Sequence, residues 1–260
     1  MRLRKMCVED QSPIRYWVSD SDTKADISGW VGQEIRIQFE GKITCTKCDR
    51  AIKKTYDGYC YPCWRDAPET APCVIRPELC EAHLQKGKDP EWEVRNHDQP
   101  HYVYLALSSG VKVGVTRATQ VPTRWIDQGA IKAKIIAETP NRYLAGCIEV
   151  ALKAHVADKT QWRKMLTNQV TDANLDEVLQ GLLPHLSDEY RPYMIMDQPI
   201  HSLEYPVVEF PLKVKSISLD KQSSLSGRLI GVKGQYLIFE EGLVLNIRKH
   251  AGYHIQLTPV

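Results

Sequence analysis

The sequence predicts an α+β protein, and three observations support this class. Two Cys-x-x-Cys pairs lie within residues 45–63, strand-like and helix-like periods alternate over residues 101–157, and short β-like runs fill residues 204–260. The chain has 260 residues, of which 43% are hydrophobic and 25% are charged. This composition is typical of a folded globular protein, so it excludes a disordered, collagen-like or coiled-coil chain and allows more than one domain.

The overall charge and the cysteine usage restrict the compartment. The formal net charge is only +2, so uneven local charge says more about partners than the total does. No apolar run approaches the roughly 20 residues that span a bilayer, and the basic N-terminus lacks the apolar core of a signal peptide. Because four of the eight cysteines stand in metal-type pairs, we expect a reduced, cytoplasmic protein without a membrane partner.

The first strong motif is Cys45-x-x-Cys48 followed by Cys60-x-x-Cys63. Each pair places two thiolates on one tight turn, and two facing turns complete the tetrahedral site that zinc accepts. The residues between the pairs can form a short hairpin. This pattern predicts a zinc ribbon over residues 41–65 with a closed, structural site, the alternative being a redox-active or disulfide-bonded set.

The predicted ribbon also interleaves basic and aromatic side chains. Cations suit phosphates and flat rings suit bases, so this composition is typical of nucleic-acid binding. A solvated ribbon whose aromatic rings cover its own small core gives the same pattern, and ribbons also bind proteins. The residues concerned are Lys42, Lys47, Arg50, Lys53, Lys54, Arg65, Tyr56, Tyr59, Tyr61 and Trp64.

A looser set of ligand-type residues follows the ribbon. Cys80 and His83 would lie one turn apart on the same face of a helix, so that both could reach one ion. Cys73 adds a third ligand, and His97 or His101 adds a fourth. These residues predict a second zinc site over residues 73–97, the alternative being buried thiols and a surface histidine.

The central segment and the tail differ in their periodicity. The central order is β-β-α-β-α, with strands over Tyr102–Leu107 and Val111–Val115, a helix from Pro122 to about Gln128, a strand over Ile131–Thr139 and a helix over Arg142–Ala157. A further helix over Asn174–Leu186 is interrupted at Pro184. The tail runs FPLKVKSISL, GRLIGV, QYLIFE and LVLNIR predict a small antiparallel β-rich barrel or sheet.

The stretch YVYLALSSGVKVGVTRATQVPTRWIDQGA, with the helix that follows it, carries the sharpest functional signal. It resembles the GIY-YIG endonuclease superfamily, with Tyr102-Val103-Tyr104 at the first name tripeptide and Lys112-Val113-Gly114 at the second. Arg124 stands at the arginine of the first helix and Glu149 at the glutamate of a later helix. The resemblance implies an endonuclease fold in which this glutamate holds one divalent cation.

The residue types in these positions suit phosphodiester hydrolysis. Glu149 would hold Mg²⁺ or Mn²⁺, and the guanidinium of Arg124 would stabilise the charge that develops on the phosphate. Tyr104 would position the nucleophile, and Gly114 would let the backbone approach closely. Lys112 replaces the tyrosine of the second tripeptide, which leaves two alternatives: the lysine substitutes for it, or cleavage is lost.

Five segments of the chain are distinctive: CTKC…CYPC, HYVYLALSSGVKVGVTR, VPTRWIDQGA, DKTQWRKML and GVKGQYLIF…LNIRKHAGY. Through these segments, most of residues 30–257 resembles a bacterial domain-of-unknown-function family, number 2797. The resemblance implies a shared architecture and no particular reaction. We divide the chain into an N-terminal β segment (1–40), a zinc-binding region (41–100), a GIY-YIG-like module (101–170), a helical connector (171–203) and a β-rich tail (204–260).

Two further stretches are open to two interpretations each. Residues 158–164 either cap a helix and form a solvated basic turn or extend a phosphate-binding face. In the tail, cations are again interleaved with aromatic rings. A small β-barrel with such a face can bind single-stranded nucleic acid, although a barrel whose aromatic rings only pack its own core gives the same pattern. The tail residues concerned are Lys233, Tyr236, Arg248, Lys249, His250 and Tyr253.

Together these patterns predict a zinc-ribbon protein that binds DNA or RNA and is a candidate divalent-metal-dependent endonuclease. A nucleic-acid-binding protein without catalysis is the first alternative. A zinc-stabilised scaffold that binds a protein partner is the second, and the nearly balanced charge is compatible with it.

Overall fold

The structure is a computed structural model of the chain and describes residues 1–21, 23–156 and 161–260. The strands in chain order are β1 (Cys7–Glu9), β2 (Arg15–Ser19), β3 (Lys24–Asp26), β4 (Glu34–Ile43), β5 (His101–Leu107), β6 (Val111–Arg117), β7 (Lys132–Thr139), β8 (His201–Ser202), β9 (Lys215–Ser216), β10 (Ser224–Lys233), β11 (Tyr236–Phe239), β12 (Leu243–Asn246) and β13 (Tyr253–Pro259). The α-helices are α1 (Tyr61–Asp66), α2 (Pro90–His97), α3 (Thr123–Asp127), α4 (Arg142–Lys153), α5 (Trp162–Leu166) and α6 (Leu175–Leu182). The mixed α+β class is therefore confirmed.

The chain divides into two compact units. The first unit comprises Met1–Arg65, Leu166–Asn168 and Leu203–Val260, and the second comprises Asp66–Met165 and Gln169–Ser202. The tetracysteine motif lies in the first unit, whereas the second ligand set and the GIY-YIG-like stretch lie in the second. Within the described part of the chain, no helix is long and apolar enough to cross a membrane.

The first unit is built on a sheet with the strand order β13-β4-β10-β11-β12-β9. Its strand β4, next to the edge strand β13, pairs antiparallel with β10 and with β13. In β4 the buried residues Ile35 and Ile37 alternate with the exposed Glu34 and Arg36, which is the pattern of a strand that covers a core on one face. A smaller sheet has the order β1-β2-β3.

The predicted strand FPLKVKSISL is wrong for most of its length. Within it the chain pairs only over β9, next to β12. Pro211 has no backbone N–H to donate to a ladder, and Leu212 is 90% exposed, so this stretch has neither the hydrogen bonds nor the burial of a strand. The other three predicted tail runs coincide with β10, β11 and β12.

The second unit contains an antiparallel sheet with the order β6-β5-β7-β8. The predicted hairpin is present, and β5 pairs with β6 over its whole length and with β7 on its other edge. The predicted β-β-α-β-α order is also present, as β5, β6, α3, β7 and α4. Helix α4 ends at Lys153, earlier than predicted, and Ala157 lies outside the described residues.

Residues 171–203, predicted as a connector, supply part of the core of the second unit. Asn174 caps α6 by accepting a hydrogen bond from the backbone N–H of Asp176 at 2.9 Å. The helix then buries Leu175, Leu179 and Leu182 against the strands of the sheet. The helix gives way to a 3-10 turn at Leu183–His185. Of the stretch 158–164, positions 158–160 lie outside the described residues.

Candidate functional site

The first Cys-x-x-Cys turn lies directly after β4. Thr44 bridges to Ala51, which closes the turn, and the backbone N–H of Cys45 donates to the carbonyl of Arg50 at 2.9 Å. The N–H of Asp49 in turn donates to the carbonyl of Cys45 at 3.0 Å, with Asp49 in the left-handed region at a φ of 57°. These bonds hold the first two sulfurs on one tight loop.

The second Cys-x-x-Cys pair spans a hairpin and a helix start. Tyr56 and Tyr59 exchange backbone hydrogen bonds of 2.9 Å around a turn in which Gly58 has a φ of 95°. The chain then enters α1, where the N–H of Trp64 donates to the carbonyl of Cys60 at 2.9 Å. Cys63 therefore lies one helical turn away from Cys60, with its sulfur on the same side.

The four sulfurs of Cys45, Cys48, Cys60 and Cys63 lie within 4.8 Å of one another. The Cys48 and Cys60 sulfurs are 3.8 Å apart, which is the edge of a tetrahedron with Zn–S bonds of about 2.3 Å and far beyond a disulfide bond. Burial raises the pKa of the Cys45 thiol, but backbone N–H groups of Cys60, Cys48 and Lys47 oppose it and lower that pKa to about 6. This tetracysteine cluster could hold a zinc ion, and none of the eight cysteines forms a disulfide.

A second ligand cluster lies in the second unit, where Cys73, Cys80 and His97 are buried with their ligand atoms within 4.8 Å of one another. The Cys73 sulfur is 3.8 Å from Nδ1 of His97. His83, predicted one helical turn after Cys80, is not within this group, because the chain forms two separate 3-10 turns here, Pro77–Leu79 and Ala82–Leu84, instead of one helix. It lines a cavity of about 710 Å³ next to both cysteines, packs its ring on Tyr143 at 4.9 Å, and buries its Nδ1 without a hydrogen-bond partner.

The pKa values of the two thiols in this Cys2His cluster are shifted in opposite directions. The thiol of Cys73 donates to the sulfur of Cys80, which lowers the pKa of Cys80 to about 4 and raises that of Cys73. His101, the alternative ligand, lies outside the group. Its Nδ1 is 2.7 Å from the carbonyl of Gln99, and burial lowers its pKa to about 4, so the ring is neutral at pH 7.

Helix α4 packs directly on the loop that carries the two cysteines. The Arg142 guanidinium donates to the backbone carbonyls of Cys73 and Val74, at 3.0 Å each. A Cβ on Gly146 would lie 2.2 Å from the backbone nitrogen of Glu78, so only glycine allows this close approach. Positions 142, 146 and 149 share one face of the helix. Glu149 therefore lies on the face that contacts the loop, about one turn after Gly146.

The central site forms across the β5–β6 hairpin. Tyr104 pairs in register with Gly114, and a Cβ on the glycine would lie 2.6 Å from the tyrosine hydroxyl. The phenol of Tyr104 thus occupies the space left by the missing side chain. Its side chain is 0% exposed, and its hydroxyl donates to Oε1 of Gln128 at 3.0 Å.

The electrostatics of Tyr104 show which other groups are near. Burial raises the pKa of its hydroxyl, the charge of Arg124 and a hydrogen bond from it act in the opposite direction, and the charge of Glu149 raises the pKa further. Tyr104 therefore lies against Gly114 and near the charges of Arg124 and Glu149, while the predicted catalytic role of these residues stays a prediction. Lys112 is half-buried, opposite Ala106 in the ladder and two residues before Gly114, on the same face of β6.

Sequence reasoning missed two residues of this site. Gln128 lies four positions after Arg124, and this spacing indicates one helix face. Arg142 lies seven positions before Glu149, which again indicates one face, and the charges of Arg124 and Glu149 both act on it. Helix spacing counted outward from the two predicted charged residues would have found both.

The tail residues do not form one basic and aromatic surface. Lys233, His250 and Tyr253 are buried, at 0%, 5% and 4% exposure. For these three residues, the interpretation of the tail as a surface that binds single-stranded nucleic acid is therefore wrong. Lys233 donates to Asn168 at 3.2 Å, its ammonium lies 5.2 Å from the ring centre of Tyr205, and burial lowers its pKa to about 8. These side chains are packed into the first unit.

The fold and the cysteine geometry define an α+β protein with a metal-type tetracysteine cluster. The model of the family described as "Protein of unknown function (DUF2797)" matches residues 32–255, and the chain belongs to this family. Neither a curated protein nor a solved structure matches the chain. The GIY-YIG resemblance therefore stays a prediction.

Proposed function

We propose that this protein binds nucleic acid and cleaves phosphodiester bonds at the site formed by Arg124, Glu149 and Tyr104. The observation that supports this most is the convergence of these three residues from β5, α3 and α4. The charges of a guanidinium and a carboxylate both act on the buried tyrosine within the second unit. A carboxylate that can hold a cation and a guanidinium that can stabilise phosphate charge suit phosphodiester hydrolysis.

Each group has a distinct role in this proposal. Glu149 and Arg124 are half-buried, so their charged ends can contact a phosphate. Tyr104 is fully buried and acts as a positioning residue, since its hydroxyl accepts from Arg124 and donates to Gln128. In this proposal Tyr104 does not position the nucleophile, as the sequence predicted, but positions the guanidinium of Arg124.

The donor set also fits a divalent cation. One carboxylate, Glu149, would hold Mg²⁺ or Mn²⁺, with water completing an octahedral shell, as these hard cations prefer oxygen ligands. The cation would polarise the phosphate and stabilise its charge. Arg124 would bind the phosphate from a second direction, and its guanidinium suits two phosphate oxygens at once.

We further propose that the tetracysteine cluster and the Cys2His cluster each hold a structural zinc ion. In the second cluster His83 would complete the ligand set, because its Nδ1 is buried, lacks a hydrogen-bond partner and borders the same cavity as Cys73 and Cys80. Cys2His2 is a usual zinc ligand set. A zinc ion there would fix the loop on which α4 packs.

The test is cleavage of labelled single- and double-stranded DNA and RNA with Mg²⁺ or Mn²⁺. We expect Glu149→Gln and Arg124→Ala to lose at least about 100-fold in turnover, as removal of a transition-state charge contact usually does. Glu138→Gln, an exposed carboxylate on β7 of the same unit, is the matched control and should keep full turnover. Cleavage that is equal in Glu149→Gln and the wild type would contradict the proposed active site.

A non-catalytic nucleic-acid-binding protein is the second candidate, and one specific observation favours it. Lys112 occupies the place of the second family tyrosine, and the phenol of Tyr104 is closed to solvent. In that case Arg124→Ala should weaken binding while no substrate of the panel is cleaved. A protein that neither binds nor cleaves any nucleic acid at about 100 mM salt would favour the protein-binding scaffold instead.

A further inference from the structure

The tetracysteine segment, residues 41–65, presents three aromatic rings beside one another. The ring centres of Tyr56 and Tyr61 are 5.7 Å apart, those of Tyr56 and Trp64 are 5.8 Å apart, and those of Tyr61 and Trp64 are 6.2 Å apart. The last pair is stacked with an interplanar angle of 27°. Tyr61 is 54% exposed, so the group has an open aromatic face. We call these three rings the aromatic platform.

The tetracysteine cluster fixes the position of this platform. Tyr61 directly follows Cys60, and Trp64 directly follows Cys63, so two of the three rings adjoin residues that would hold the metal. Both rings are on the short helix α1, three positions apart, which places them on one side. A ring held in this way loses little conformational freedom when it binds a partner.

The segment that carries the platform is also rich in cations. The ammonium of Lys54 lies 5.2 Å from the ring centre of Tyr56. Residues 41–65 contain six basic and two acidic side chains, a net charge of about +4. All six basic side chains are exposed: Lys42, Lys47, Arg50, Lys53, Lys54 and Arg65.

The charge of the metal site itself has to be included. A zinc ion with four thiolates carries 2 − 4 = −2, so the loaded segment has a charge of about +4 − 2 = +2. One of the two acidic residues, Asp49, is in an ion pair with Arg2, which removes part of its field. The segment therefore remains positive, and its charge complements a phosphate backbone.

We propose that the aromatic platform binds unpaired bases of single-stranded nucleic acid, while the exposed cations of the same segment bind the phosphates. The rings offer faces to stack on, which only unpaired bases can use, because the base faces of a duplex are covered by their neighbours. The inference rests on the proposed nucleic-acid function and specifies its substrate: single strands, or duplexes with an unpaired segment.

The experiment is fluorescence anisotropy with labelled oligo(dT) and oligo(U) of about 20 nucleotides, and with a duplex of equal length, on the full-length zinc-loaded protein. Base stacking on an aromatic side chain contributes about 1–3 kcal/mol, so Tyr61→Ala should weaken single-strand binding about 5- to 150-fold and leave duplex binding unchanged. Tyr61→Trp keeps a stacking ring and should keep the affinity.

Two controls separate the possible failures. Leu212→Ala removes an apolar side chain of the same unit that is even more exposed than Tyr61, and it should change nothing. If the wild type binds single strands and duplexes equally and Tyr61→Ala changes neither, the platform proposal is overturned while nucleic-acid binding stands. If the wild type binds none of the probes, as would be the case when the platform binds a protein, both proposals are overturned.

Discussion

The two units hold their ligand-type side chains in different ways. In the first unit, four sulfurs come from one short segment, and the cluster reaches the surface at Cys48. In the second, Cys73, Cys80 and His97 are all buried and come from a loop and from the end of α2. The first cluster brings together two turns of a single segment, whereas the second brings a loop together with the end of α2.

This difference has a consequence for function. The loop of the second cluster is held by Arg142 and lies against Gly146, both on the helix that carries Glu149. Loss of its metal should therefore affect the proposed active site. Loss of the first metal should affect the aromatic platform and the end of β4. Each cluster is thus expected to support one part of the proposed activity.

Removal of the metals should give the largest effect. We expect about two zinc ions per chain, one of which is lost in Cys45→Ser and the other in Cys80→Ser, as measured by metal analysis. Structural zinc contributes about 10–16 kcal/mol to the folding of small domains, so each variant should lose cooperative unfolding in its own unit. Cys7→Ser, an exposed cysteine outside both clusters, should keep both ions. Retention of two zinc ions in Cys80→Ser would contradict the second site.

The next largest effect should come from Gly146→Ala, which tests the link between the second cluster and α4. The new Cβ would lie 2.2 Å from a backbone nitrogen, and a backbone cannot move aside as a side chain can. We expect a loss above about 3 kcal/mol in the free energy of unfolding, measured with urea. The control is Gly181→Ala on α6, where a Cβ meets nothing within 4 Å and should stabilise by about 0.5–1 kcal/mol.

Lys233 should make the first unit more sensitive to pH. Burial lowers its pKa from 10.5 to about 8, so between these values the unfolded chain binds more protons than the folded one. The free energy of unfolding should therefore rise with pH between these two values, by up to about 3 kcal/mol. Below pH 8 the buried lysine is charged, so the full cost of burying its charge lowers the stability. Lys233→Met should lack this rise in urea unfolding. Equal slopes for both proteins would show that the lysine is not the cause.

The smallest effect should come from Gly114→Ala in the central hairpin. The added Cβ would be 2.6 Å from the hydroxyl of Tyr104, and we expect a loss of about 1–2 kcal/mol in thermal unfolding, since the tyrosine must shift. Gly110→Ala in the turn of the same hairpin has no atom within 4 Å of its Cβ and should be close to neutral. Equal stability of the two variants would mean that Tyr104 does not require the glycine.

The parts that the sequence predicted well are those encoded locally. The tetracysteine cluster depends on spacings within 19 residues, and the β5–β6 hairpin depends on two β-branched runs around one turn. His97 lies closer to Cys73 and Cys80 than His83 does, and the sequence did not indicate this. The reason is that it depends on where α2 ends relative to the loop that carries the two cysteines. The burial of Lys233 depends on Tyr205 and Phe210, which approach it only after the chain has folded back.

The strand β4 pairs with β10 and with β13, so residues 34–43 reach their neighbours only near the other end of the chain. The second unit is therefore an insertion between the two halves of the first, apart from residues 166–168. During synthesis, residues 66–202 leave the ribosome before β10 and β13 exist. The inserted unit can therefore complete its sheet first, while β4 must wait unpaired until the last strands emerge.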